Sequence, residues 1–168
     1  MALARTLDGK MVVLMGGDGF LGSHIAQALL ERGARLRIAS RNPGDAWGLK
    51  PLANLGQIQF VRCDATRRES LERALQGADA VVNCVGSFKG NLMRLMGQAP
   101  GWMAEVARDI GAQAFVHVSA ILPEEHAGNR YAEAKLAGEE RVLAAFPNAT
   151  ILRPSLLFGQ GGGVTSLF

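Results

Sequence analysis

Four glycines, Gly16, Gly17, Gly19 and Gly22, follow the apolar run of residues 11–15 and open the amphipathic stretch of residues 20–32. A strand, a glycine turn and a helix in that order form the unit on which a dinucleotide-binding βαβ fold is built. Backbone N–H groups at a helix N-terminus can hold a diphosphate, provided no Cβ on the turn keeps the phosphates away. Gly16 can then make the turn, Gly19 lets the backbone approach, and Gly22 lets the helix pack on the strand. The spacing fits Gly17-x-Gly19-x-x-Gly22 and Gly16-x-x-Gly19-x-x-Gly22 equally well, and a tight turn without a ligand is the plainer alternative. Asp18 sits where an N-cap would satisfy the first free amides, so its carboxylate is expected to point at them.

The remaining pattern repeats the theme. Strand-like runs fall at residues 10–15, 35–39, 57–63, 80–85, 114–119 and 150–153. Helical patterns lie between them at residues 20–32, 67–75, 103–110 and 130–145, with a weaker one at 45–55. Thr66 and Asn129 suit N-caps. This alternation predicts a single α/β domain over residues 1–168, a doubly wound parallel sheet of at least six strands, Rossmann-type, with helices on both faces. The apolar stretch of residues 93–103 reads as core packing, with a dimer surface or a substrate flank as alternatives. Residues 159–163 form a short glycine-rich run.

Composition excludes several classes. The net charge of +3 is spread along the chain, so neither nucleic acid nor an anionic membrane is implied as a partner. No apolar run is long enough to span a bilayer and the N-terminus lacks the features of a signal peptide, so a cytoplasmic protein is expected. Cys63 and Cys84 each end a strand-like run and read as core thiols in a reducing compartment, and no metal site is expected.

Ligands of open α/β sheets gather outside the carboxyl ends of the strands. The second strand-like run ends in Ser40-Arg41, where an acidic residue would hold the ribose hydroxyls of NAD. A hydroxyl and a guanidinium suit the 2′-phosphate of NADP, so NADP(H) is favoured with NAD(H) as the alternative. Asp64 and Ala65 end the third run, where Asp64 can accept from the adenine amino group or shape a turn. Cys84, Val85 and Gly86 end the fourth and can pass beneath the ribose. Any chemistry is expected from Tyr131 and Lys135 together with Ser119, which ends the fifth run and can hydrogen-bond a substrate carbonyl or hydroxyl. Residues four apart share a helix face, so the Lys135 ammonium is expected beside Tyr131, lowering its phenol's pKa. An ordinary exposed helix pair is the plainer alternative.

The spans 16–22, 83–86, 117–119, 131–135 and 152–154 resemble, in this order, the short-chain dehydrogenase/reductase superfamily. Phe20-Leu21-Gly22 and Arg153-Pro154 resemble its extended and atypical branches, the NAD-dependent epimerases and dehydratases. Residues 115–119 and 145–150 are similar to the nucleotide-binding accessory subunit of respiratory complex I and its bacterial relatives. The resemblance implies coenzyme contacts from Gly16, Gly19, Phe20, Leu21 and Gly22 and a ribose contact from Lys135. It also implies that Tyr131 is the general acid/base, tuned by Lys135, and that Ser119 positions the reacting oxygen.

The implied activity is that of an NADP-preferring oxidoreductase or epimerase acting on a nucleotide sugar or another hydroxyl or carbonyl compound. A non-catalytic nucleotide-binding structural or assembly protein is the alternative, and a homodimer or a larger complex are the implied assemblies. Asp18 stands where the family more often has an uncharged residue. Extended members continue after the sixth strand into a smaller substrate-binding region, so this sequence resembles their coenzyme half alone.

Overall fold

A computed structural model describes residues 6–125, 127–159 and 162–163. Strands β1 (Met11–Met15), β2 (Arg35–Ser40), β3 (Ile58–Arg62), β4 (Ala80–Asn83), β5 (Ala114–Val118) and β6 (Thr150–Leu152) form one sheet in the order β3-β2-β1-β4-β5-β6. All its pairings are parallel. Strand order reverses between β1 and β4, which opens a crevice at their carboxyl ends. The helices are α1 (Phe20–Glu31), α2 (Arg68–Leu75), α3 (Ala99–Asp109) and α4 (Arg130–Ala145).

Burial explains the β1 sequence: all five residues are buried because helices cover both sheet faces. Val13 and Met15 join a cluster with Leu71, Leu75, Met103 and Phe115 under α2, α3 and α4. Leu14 faces the other way, with Ala26, Leu30, Leu36 and Ile38 under α1. Fully buried side chains of this size contribute roughly 1.5–3 kcal/mol each.

Several local expectations need correction. The weak helix at 45–55 is a 3₁₀ segment, Pro43–Leu52, in a stretch interrupted by Gly44, Gly48 and Pro51. Helix α3 starts earlier than its apolar pattern implied and continues a π-helical segment, Met93–Gln98. Pro100, lacking an N–H, cannot donate back to Met96 in an α-helical ladder. The 93–103 stretch is largely core: Met96 and Met103 are buried, and the Met96 carbonyl lies against Gly138 of α4, where a Cβ would collide with it.

Thr66 does not cap α2: its N–H and hydroxyl both donate to Asp64 Oδ1, at 2.9 and 2.8 Å, and the N-cap is Arg67. Asn129 does cap α4, its Oδ1 accepting from Ala132 N at 3.1 Å, while Glu133 reaches back to Gly128 N. After β6, a two-stranded antiparallel hairpin pairs Phe158–Gly159 with Gly162–Gly163. Gln160 and Gly161 of the glycine-rich run lie outside the described residues. Among the described residues, no helix is long and apolar enough to cross a membrane.

Candidate functional site

A crevice of about 450 Å³ lies at the carboxyl ends of β1 to β4. The glycine turn floors it. Gly16 takes φ +75°, and a Cβ there would stand 3.2 Å from Val85 N, so the β1 turn rests directly on the β4 turn. A Cβ on Gly22 would strike the Gly16 carbonyl and come 2.7 Å from Gly17 Cα. Gly17 instead packs on Ile38 and Leu14, whereas Gly19 faces open space apart from the Gly16 carbonyl, 3.4 Å away. Gly16 and Gly19 therefore present their open side to the crevice, which they line, whereas Gly17 is turned into the packing between the sheet and α1.

Asp18 does not cap α1, a correction with a simple geometric cause. The N-cap is Gly19, which places Asp18 one residue too early, and no side chain caps the helix. The amides of Phe20, Leu21 and Gly22 that open α1 precede the first helix carbonyl able to accept from them, and among the described residues no side chain caps them. Gly16, Asp18 and Gly19 line the crevice, whereas Phe20, Leu21 and Gly22, in the first turn of α1, are not among its lining residues.

Ser40 and Arg41 form the β2 side of the crevice. The Ser40 hydroxyl is buried without a hydrogen-bond partner, and Arg41 is exposed. Asp64 and Ala65 line the β3 side. The two hydrogen bonds from Thr66 hold the Asp64 carboxyl below the usual range, helped by Arg67 and Arg41. Cys84, Val85 and Gly86 line the β4 side. Burial pushes the Cys84 thiol up to about 12, against the pull of Lys135, and burial also raises Cys63; both are free thiols. Thr66, Ser87, Lys89, Asn91 and Arg94 are further polar residues of the wall. None carries a motif, because loop residues converge here from separate connections.

Ser119, Tyr131 and Lys135 lie beside this crevice and do not line it. Lys135 is buried, and its Nζ donates to the Val118 carbonyl at 3.1 Å and lies 5.9 Å from the Tyr131 ring centroid. Burial lowers its pKa. The expected lowering of Tyr131 is corrected: burial raises the phenol above its usual value, and the ammonium donates to the β5 backbone instead. Ser119 is buried just beyond β5, beside the Glu139 carboxylate, and its Oγ makes no well-formed hydrogen bond.

Behind these residues lies a buried polar cluster absent from the sequence reading. Asn83 Oδ1 accepts from Val85 N, so its amide nitrogen faces His117 Nδ1, at 3.0 Å. That assignment leaves the Nε2 tautomer, with Nε2 buried and unpartnered. Glu139 is 4 % exposed and accepts from both Nε and Nη2 of Arg153.

Burial, with Lys135 nearby, pushes the His117 imidazole down to about 4. Because the unfolded chain then binds a proton that the folded one does not, stability is fully present above about pH 6.5 and falls toward pH 4. The melting temperature should decline across that window, a loss of at most about 3 kcal/mol. A His117→Gln variant should decline less steeply, and equal slopes would remove His117 as the cause.

Sheet order, glycine turn and crevice position together define a Rossmann-type domain. Similarity to known proteins narrows this. Residues 12–168 match the NAD dependent epimerase/dehydratase family, and the chain belongs to it. It is 28% identical over 160 residues to NADH dehydrogenase [ubiquinone] 1 alpha subcomplex subunit 9, mitochondrial, of Mus musculus, covering 92% of this chain and 42% of the relative.

It is 32% identical over 155 residues to ceramide reductase of Caulobacter vibrioides, covering 90% and 47%. The chain thus spans less than half the length of these two relatives. Among solved structures, the Bordetella bronchiseptica enzyme WbmH in complex with NAD+ superposes with a TM-score of 0.74 at 22% identity, covering 89% of this chain and 57% of that one. That likeness concerns the fold.

Proposed function

We propose that the crevice binds a nicotinamide dinucleotide and that the domain is the coenzyme-binding part of an NADP-preferring oxidoreductase or epimerase. The observation that carries this reading is the uncapped N-terminus of α1, packed so closely on the glycine turn that any Cβ at Gly22 would collide with the turn's backbone. Such a cradle fits a diphosphate, since its amides are unpaired donors at the positive end of a helix. Gly16, Gly19 and the amides of Phe20, Leu21 and Gly22 would hold the diphosphate, Asp64 and Ala65 the adenine end, and Cys84, Val85 and Gly86 the ribose side. Ser40 and Arg41 would take a 2′-phosphate, which the unpartnered Ser40 hydroxyl favours. The coenzyme would supply hydride exchange at a carbon bearing a hydroxyl or keto group.

For such chemistry, Tyr131 is the proton donor and acceptor, Lys135 moves from the Val118 carbonyl toward the phenol and ribose, and Ser119 turns from Glu139 to the reacting oxygen. A carbonyl or alcohol substrate, a nucleotide sugar included, is the class that this set serves. A second reading is a nucleotide-binding subunit without turnover, associated with a larger complex at a membrane. It is favoured by the same side chains: Ser119 is buried and does not line the crevice, and Tyr131 stacks on Phe88.

Two variants test the proposal. Arg41→Ala should weaken NADPH by roughly tenfold, the loss of a charge-assisted contact, and NADH much less. Equal losses would remove Arg41 from a phosphate site. Tyr131→Phe should lower turnover of nucleotide sugars and carbonyl compounds by about 10²- to 10⁴-fold with coenzyme affinity unchanged. NADPH binding without turnover of any panel member by the parent chain would favour the second reading.

A further inference from the structure

Phe88 is 82% exposed, although a phenyl ring is ordinarily worth burying. Its partner is Tyr131, on which it stacks with ring centroids 4.9 Å apart and planes at 21°. It is carried on a tight turn. Ser87 Oγ accepts from Lys89 N and donates to Lys89 O, both at 3.0 Å, and Gly90 takes φ +81°. Gly86, Ser87, Lys89 and Gly90 line the crevice, while Phe88 alone of this turn does not. Tyr131 also packs against the cluster of Leu92, Met96 and Ala134. One short turn therefore has a polar side on the coenzyme crevice and an aromatic side on the residue proposed as acid/base.

We propose that Phe88 is a positioning residue: it fixes the ring of Tyr131 against Leu92 and Met96, shields that ring from water, and couples its exposure to occupation of the crevice. Its catalytic consequence rests on the role proposed above for Tyr131; the contact itself does not. Charged groups on the elements packed around the phenol are Arg130, Glu133, Lys135, Glu139, Glu140 and Arg141 on α4, Lys89 in the turn and Arg94 on the π-helical segment. Phe88→Ala leaves all of them in place, so its effect reports the cover.

Tyr131 is the only tyrosine in the chain, so the pH titration of phenolate absorption reads this residue alone. Burial raises the phenol in the parent chain. Phe88→Ala should therefore move the midpoint downward by several tenths of a pH unit, Phe88→Leu should restore most of the shift, and both should melt like the parent. ADP is the second probe, because it has no nicotinamide with which to reach Tyr131. Saturating ADP should move the midpoint of the parent and leave that of Phe88→Ala in place. A Phe88→Ala midpoint equal to the parent's, or bound ADP that leaves the parent's midpoint still, overturns the proposal. Absence of ADP binding by calorimetry overturns the coenzyme reading and the coupling, while the Phe88→Ala midpoint still decides the shielding.

Discussion

Gly22→Ala should cost about 1–3 kcal/mol of stability and weaken NADPH by roughly 10- to 100-fold. The methyl group would meet the Gly16 carbonyl and Gly17 Cα, backbone atoms that cannot swing aside as a side chain would. Either α1 retreats from the turn or the turn opens, and both movements displace the amides that open α1 relative to Gly16 and Gly19 in the crevice wall. Gly19→Ala provides the contrast. Its Cβ meets only the Gly16 carbonyl, at ordinary contact distance, so the fold should be kept. Gly19 lines the crevice, so the methyl would stand where the ligand must approach and affinity should still fall. Calorimetry and thermal melting on the two variants separate packing from ligand approach. Unchanged melting and affinity in Gly22→Ala would contradict this account of the turn.

Arg153→Ala should lower the melting temperature by several degrees, by an amount that depends on pH. Glu139 is buried, and burial pushes its carboxyl up; the hydrogen bonds from Arg153, with Ser119 beside it, win and hold it below the ordinary value. Without Arg153 the burial effect prevails and the folded-state pKa should rise above the unfolded one. The folded state then holds a proton that the unfolded state releases, so the deficit should grow as pH rises above about 4.5. Removing one partner of such a pair leaves the other charge uncompensated, which costs more than removing both. Glu139→Gln in the Arg153→Ala background should accordingly recover part of the loss at neutral pH. A deficit independent of pH, or no recovery, would show that Arg153 does not neutralise Glu139.

The order of strands and helices was legible because short apolar runs and amphipathic stretches alternate cleanly from Met11 to Leu152. The glycine turn was legible as a turn, but its register was not. Gly16 and Gly17 look alike in sequence, and only contact with Val85 on one side and Ile38 on the other distinguishes them. Asp18 and Thr66 misled for a shared reason: both are good caps by residue type, yet each falls a residue before the true N-cap. The Tyr131–Lys135 pair was readable from helical spacing, whereas the direction of the ammonium depends on the Val118 carbonyl of a distant strand. Glu139, beside Glu140, reads as one more solvated helix charge. Its partner Arg153 arrives from just beyond β6 and the nearby His117 from β5, relations that no local pattern encodes. Phe88, between polar and glycine residues, reads as an ordinary surface loop position until the fold puts Tyr131 beneath it.

The most direct test of the central claim is an amide ¹H–¹⁵N correlation spectrum of the isotopically labelled chain, recorded during titration with NADPH. If the uncapped start of α1 grips the diphosphate, the largest shift changes should fall on the amides of Gly19, Phe20, Leu21 and Gly22, with smaller ones at Ser40, Arg41 and Gly86. Saturating NADPH that leaves the amides of residues 16–22 unmoved would contradict it.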